Sequence, residues 1–183
     1  GTGLVGSEMC IRDRCKSLSE NMSGVELVEN RIHDPQDNEV LIEVKAASVN
    51  FPDLLMTQGK YQHKPELPFG LGMEGSGIVR SVGTKVSKVK EGDEITFGAL
   101  GKGAFTELIC VNENSVEIKP SNLSFEQAAA FQTAYLTAYV SLVRRGELVK
   151  GENLLVHGAT GGVGMAAVQL GKYLGAKVIA TGT

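Results

Sequence analysis

The residues best suited to chemistry lie near the end of the chain. Asn153, Leu154, Leu155, Val156 and His157 form a short, largely apolar run that passes into Gly158, Ala159, Thr160, Gly161, Gly162, Val163 and Gly164. Beyond this turn Val163, Ala166, Ala167, Leu170 and Leu174 recur at helical spacing, so the stretch reads as strand, small-residue turn and helix. The chemistry of such a turn is anion binding. Small residues let the backbone approach a pyrophosphate, whose charge sits against the unpaired N–H groups and positive end of the helix. Ala159, Gly161 and Gly164 occupy the three glycine positions of a G-x-G-x-x-G pattern, and Gly162 adds slack. Gly175 is placed to end the helix, and Lys177 to Thr181 form a second run suited to a buried parallel strand, which predicts one βαβ unit.

The end of that second strand bears on the choice of nucleotide. An NAD-binding chain usually places an acid roughly 20 residues after the glycines to hold the ribose 2′-hydroxyl. Here the residues are Thr181, Gly182 and Thr183, with no carboxylate to repel a 2′-phosphate, so NADPH is favoured over NADH. A basic residue to hold that phosphate is expected beyond Thr183.

The rest of the chain must supply the scaffold. Val40, Ile42, Val44 and Ala46 alternate with Leu41, Glu43 and Lys45, a strand with one buried face. Residues 72–82 are glycine-rich and extended, 95–97 are a short strand and 105–111 another, separated by turn signals at Asp34 and Pro35, at Gly83 and Thr84, and at 91–93 and 98–103. This spacing predicts a compact β barrel or rolled sheet. Ser124 with Gln127 forms a capping-box pattern, and a helix is predicted to run from there through Val143 until Gly146 stops it. The absence of a flexible linker predicts two parts packed together with a cleft between them.

Composition narrows the class. The 183 residues are 42% hydrophobic, enough for a core, and the net charge of −3 with mixed signs argues against a nucleic-acid surface. No apolar run approaches the roughly 20 residues of a membrane span, and no signal-peptide pattern is present, so the chain reads as soluble and intracellular. Cys10, Cys15 and Cys110 form no C-x-x-C pair, and Cys110, in an apolar strand pattern, reads as a small core residue. His33, His63 and His157 are scattered along the chain, and surface or core roles are expected for them.

Residues 4–14 resemble the read-through translation of a transposase adapter used in sequencing libraries. Residues 1–14 are therefore expected to be non-native and to lie outside the fold; the alternative is a disordered native N-terminus, and both readings make them dispensable. The fold would then begin near Cys15, and the chain would be a translated fragment whose end inside a βαβ pattern has the same cause.

From Cys15 to Thr183 the chain resembles the zinc-free quinone oxidoreductase group of the medium-chain dehydrogenase/reductases, to which zeta-crystallin also belongs. The matching strings are Val49 to Leu54, Gln58 to Tyr61, Pro68 to Gly77, Val89 to Asp93, Thr137 to Tyr139 and the glycine turn. The resemblance implies an α/β protein with a β-rich part: a GroES-like β barrel catalytic domain over 15–125, followed by the start of a Rossmann doubly wound domain over 126–183. It also implies that roughly half of the usual protein is missing. A homodimer in the cytoplasm is what the resemblance implies for the parent protein.

In zinc-dependent relatives a cysteine lies where Asn50 stands, a histidine where Met73 precedes Glu74, and a serine or threonine relay where Pro52 lies. Asn and Met are poor zinc ligands, so no metal site is expected. Oxidising an ordinary alcohol needs strong stabilisation of an alkoxide, whereas a quinone or conjugated enone spreads the charge gained with a hydride over its own π system. The sequence thus points to a zinc-independent oxidoreductase moving hydride from NADPH to such an acceptor. By resemblance, Asn50 and Tyr61 line the catalytic site, and Asn50 and Thr137 approach the nicotinamide. Ala159, Thr160, Gly161, Gly162, Val163, Gly164, Thr181, Gly182 and Thr183 complete the cofactor site. Asp53 and Glu74 read as structural hydrogen-bonding groups rather than catalytic carboxylates. The plainer readings are that Asn50 organises a turn before Pro52, Tyr61 caps a loop and Thr137 packs within its helix. Alternative functions are an enoyl-thioester reductase and a non-catalytic NADPH-binding protein of the crystallin kind.

Overall fold

A computed structural model describes residues 9–182 as two units, divided after Ala130. The first unit begins with three strands, β1 (Met9–Cys15), β2 (Val25–Arg31) and β3 (Glu39–Ala47), followed by the short helix α1 (Phe51–Thr57). Then come β4 (Phe69–Gly70), β5 (Glu74–Val82), β6 (Glu94–Gly98), β7 (Leu108–Asn112) and β8 (Val116–Ile118), and the unit closes with helix α2 (Phe125–Ala129).

Five of the strands form an antiparallel sheet in the order β7-β3-β5-β6-β8. Its inward face carries Val40, Ile42, Val79, Ile95, Phe97, Val111 and Val116, all of them buried. The alternation read in β3 is what delivers every second residue to this core. Register shifts near Leu41 and near Val44 mark β-bulges against β5, which bend the sheet. A smaller sheet, β2-β1-β4, lies against the same unit: Asp13 N donates to Phe105 O at 2.9 Å and Glu107 N to Ile11 O at 3.1 Å. These bonds join the segment before β7 to β1, giving the rolled sheet that the turn spacing predicts.

The exclusion of residues 1–14 from the fold is corrected for the described part. Met9 to Arg14 belong to β1, which pairs with β2 along its whole length, and Cys10 is 1% exposed. Strand pairing is a backbone property, and Cys10 and Cys15, an odd number of positions apart, enter two separate apolar clusters on opposite faces. Residues 1–8 lie outside the described residues.

The second unit contains α3 (Gln132–Tyr139), a π-helical continuation over Val140–Arg145, β9 (Asn153–His157), α4 (Gly162–Tyr173) and β10 (Lys177–Thr181). β9 and β10 pair in parallel from Asn153↔Lys177 to His157↔Thr181, with α4 as the crossover. The predicted βαβ unit is therefore present, with Gly175 in the left-handed region (φ 81°) after the helix. Tyr135 of α3 donates to the Gln169 side chain of α4.

Two helical expectations change. The Ser124–Gln127 capping box is formed, Ser124 N donating to Gln127 Oε1 at 3.0 Å and Gln127 N to Ser124 Oγ at 3.2 Å. The helix it opens stops at Ala129 instead of running to Val143, because Ala130 leaves helical geometry, with ψ at 9°. The chain then restarts as α3, so the units divide after Ala130 and not at the expected 125/126 boundary.

Candidate functional site

In the first unit the site residues gather where β3 runs out into α1. Ser48, Val49 and Asn50 are extended: Val49 is exposed, while Ser48 and Asn50, two positions apart, turn to the other side. Asn50 Nδ2 donates to Ser48 Oγ and to Glu74 Oε1, both at 3.0 Å, and Ser48 Oγ donates to Glu74 Oε1 at 2.6 Å. Glu74, at the start of β5, is 2% exposed.

Asn50 is also the N-cap of α1. Its side chain faces the backbone N–H of Asp53, and Asp53 Oδ2 accepts from Asn50 N at 2.8 Å, a capping box with Pro52 in the first turn. Asp53 Oδ1 accepts from Gly72 N at 3.1 Å, tying α1 to the segment between β4 and β5. Burial pushes the Asp53 carboxyl above the usual carboxylate range against the pull of these two amides, and the nearby Glu74 adds to the rise. The turn-organising reading of Asn50 thus holds, alongside a side chain fixed in a buried network.

Tyr61 follows α1 and is half-buried against the cluster of Cys15, Met56, Phe69 and Leu71, with Met73 beside the same cluster. Its hydroxyl has no hydrogen-bond partner among the described residues, so it does not cap a loop. Sequence reasoning missed Ser48. The signal was available: a polar residue two positions before Asn50 in an extended stretch shares its face.

In the second unit the turn follows β9. Gly158 has φ at 65°, Gly161 is the N-cap of α4, and the first amides of α4, from Gly162, Val163 and Gly164, have no partner within the helix. A Cβ on Gly162 would meet nothing within 4 Å, so the backbone at Gly162 is open on that side. Ala159 N donates to Thr181 O at 2.9 Å, and Gly182 lies against Thr160, so the start of the turn stands beside the end of β10. His157 Nδ1 is 2.9 Å from Thr181 Oγ1, an interaction the sequence did not reveal. The residues present fit a dinucleotide phosphate: they are small and uncharged, and a bound anion gains roughly 0.3–1 kcal/mol from the helix end. Thr183 lies outside the described residues. Thr137 is exposed on α3, and its hydroxyl donates to Thr133 O at 2.6 Å within the helix.

The structure brings one set of metal-capable groups together that the sequence left scattered, His33, Glu39 and Cys110, whose ligand atoms lie within 4.8 Å of one another. A cation already sits there: Lys102 Nζ is 2.8 Å from Glu39 Oε1 and 3.0 Å from Cys110 O. Cys110 is buried, as expected of a small core residue, and burial followed by the charge of Glu39 pushes its thiol up to about 12.

Comparison with known proteins places this geometry. Residues 36–121 match the alcohol dehydrogenase GroES-like domain. Over 157 residues the chain is 40% identical to quinone oxidoreductase 1 of Escherichia coli K12, covering 86% of this chain and 48% of that protein. The chain belongs to the medium-chain dehydrogenase/reductase superfamily. Among solved members of the superfamily, an Escherichia coli quinone oxidoreductase complexed with NADPH superposes with a TM-score of 0.82 at 36% identity, over 94% of this chain and 52% of that one. The CurK enoyl reductase superposes with a TM-score of 0.84 at 29% identity, over 95% of this chain and 53% of that one. The chain spans about half the length of the superfamily relatives it matches. Within the superfamily it has the GroES-like domain and an α/β unit in which a strand, a glycine-rich turn and a helix follow one another.

Proposed function

We propose that the protein carrying this chain is a zinc-independent oxidoreductase that reduces a quinone or conjugated enone with NADPH. The observation that carries the reading is the β9–turn–α4 geometry, with unobstructed space at Gly161 and Gly162 and no carboxylate at Thr181 or Gly182. NADPH, when bound, supplies the hydride.

This chain's residues would do the rest. The amides of Gly162, Val163 and Gly164 would hold the pyrophosphate, while Ala159 and Thr160 shape the turn. Thr181 and Gly182 would border the adenosine ribose, leaving room for a 2′-phosphate. Thr137 would approach the nicotinamide. The unpaired Tyr61 hydroxyl would donate a hydrogen bond to the oxygen on which negative charge develops, and Asn50 would orient the acceptor or the nicotinamide. Asn50 and Met73, where zinc-dependent relatives carry ligands, are poor ligands, which supports charge stabilisation by hydrogen-bond donors. The reading includes a cytoplasmic, dimeric protein, as the resemblance implies; among the described residues no helix is long and apolar enough to cross a membrane.

The likeness to CurK, whose description is that of an enoyl reductase, favours an enoyl thioester as the second acceptor class, since its hydride chemistry is similar. A fluorescence titration with NADPH and NADH, followed by turnover of 1,4-naphthoquinone against crotonyl-CoA, tests the proposal. Preference for NADPH and for the quinone supports it. Preference for the thioester favours the second reading, and NADPH binding without turnover of either would indicate a non-catalytic protein.

A further inference from the structure

We propose that Glu74 is a positioning residue which, with Ser48, holds the NH2 end of the Asn50 side chain inward, so that the Asn50 carbonyl oxygen is turned to hydrogen-bond donors: the Asp53 N–H of the α1 cap and the carboxamide N–H of a bound nicotinamide. The inference rests on the reductase reading for its catalytic consequence, but the geometry stands by itself. Asn50 Nδ2 donates to Ser48 Oγ and Glu74 Oε1, both at 3.0 Å, which draws its NH2 end towards this pair of oxygens. Ser48 Oγ closes the ring by donating to the same Glu74 oxygen at 2.6 Å.

A primary amide has two ends of similar shape and opposite hydrogen-bonding sense, and only its surroundings choose between them. A carboxylate accepts and never donates, so an Asn50 turned over would set its carbonyl oxygen against Glu74. The same turn would carry the NH2 group towards the Asp53 backbone N–H, which the Asn50 side chain faces in the α1 capping box. One acidic residue, 2% exposed, therefore fixes both the helix cap and the face that Asn50 presents. Glu74→Gln keeps the volume and removes the preference, because a glutamine side chain satisfies either orientation of its neighbour.

The test uses the intact protein carrying this chain and three variants, Glu74→Gln, Asn50→Ala and the pair together, with 1,4-naphthoquinone as acceptor. Each single change should lower kcat about tenfold while leaving KM for NADPH within about twofold, and the double variant should fall no further than Asn50→Ala alone. A purely structural role for Glu74 predicts multiplied losses in the double variant, and that result, or an unchanged kcat in Glu74→Gln, overturns the proposal. The 15N-resolved side-chain amide of Asn50 gives a readout independent of turnover. It should exchange slowly with solvent in the unmodified protein and faster in Glu74→Gln; fast exchange in both overturns the positioning. An unmodified protein that turns over no quinone contradicts the reductase reading instead, and the amide exchange then decides the positioning alone.

Discussion

Gly164 packs directly on Gly158: a Cβ at position 164 would stand 2.2 Å from the Gly158 carbonyl oxygen and 2.8 Å from Ala159 Cα. The first turn of α4 is thus locked onto the loop that feeds it. Gly161 differs, since a Cβ there meets only Gly158 O at 3.5 Å. Under the proposed function two glycines of one turn answer to two demands, packing at 164 and ligand access at 161.

Substitution should separate these demands. Gly164→Ala is expected to lower stability by roughly 1–3 kcal/mol through overpacking, and NADPH affinity with it. Gly161→Val should leave the melting temperature within about 2 °C and weaken NADPH binding at least tenfold, because the side chain points into space an anion needs. Calorimetry beside a fluorescence titration checks both; equal NADPH affinity in Gly161→Val would count against the turn.

Lys119 holds the end of β8 to the entry of α2. Its Nζ lies 3.0 Å from Glu94 Oε2, 2.7 Å from Leu123 O and 5.3 Å from the centre of the Phe125 ring. Lys119→Met would fill the space but leave the Leu123 carbonyl without its donor, at a cost of roughly 1–3 kcal/mol. A melting temperature lower by several degrees is expected, and an unchanged one would show that the buried ammonium contributes nothing.

Cys110 carries a pH dependence. Its thiol is pushed up to about 12 in the folded chain from the ordinary 9.0 of a free thiol, so between these values the unfolded state loses the proton first. Stability from this group is intact below about pH 9 and falls as pH rises towards 12. Urea midpoints measured from neutral to alkaline pH should therefore fall more steeply for the unmodified protein than for Cys110→Ala. Parallel curves would contradict the assignment. At about pH 8 the native thiol should also resist alkylation.

Tyr61→Phe removes a hydroxyl without disturbing the cluster of Met56, Phe69 and Leu71 against which the ring packs. Steady-state kinetics should show kcat reduced about 10-fold to 100-fold with NADPH affinity within about twofold. An unchanged kcat would return Tyr61 to a packing role.

Much of this was legible in the sequence, and the exceptions have physical causes. The β9–α4–β10 unit was readable because glycine spacing and helical periodicity coincide in one short stretch, and β3 because Val40 and Ile42 alternate on its core face, although Leu41 on the other face is buried as well, in a second cluster. The Ser124–Gln127 box located the start of α2 but could not reveal its end, since the pattern continues in register through Ala130 and Phe131 where the backbone does not. β1 was set aside for its resemblance to an adapter read-through, although pairing with β2 depends on backbone. The Asn50–Glu74 contact joins positions distant in sequence, which only the fold could bring together. The Lys102 contact with Glu39 and Cys110 is of the same kind.

The central claim is tested most directly by following NADPH oxidation with 1,4-naphthoquinone, with and without a strong metal chelator, and with NADH as the control donor. Quinone-dependent oxidation that prefers NADPH and is unchanged by the chelator is expected. Oxidation that the chelator abolishes, or a folded protein that oxidises NADPH with no dependence on quinone, would contradict that claim.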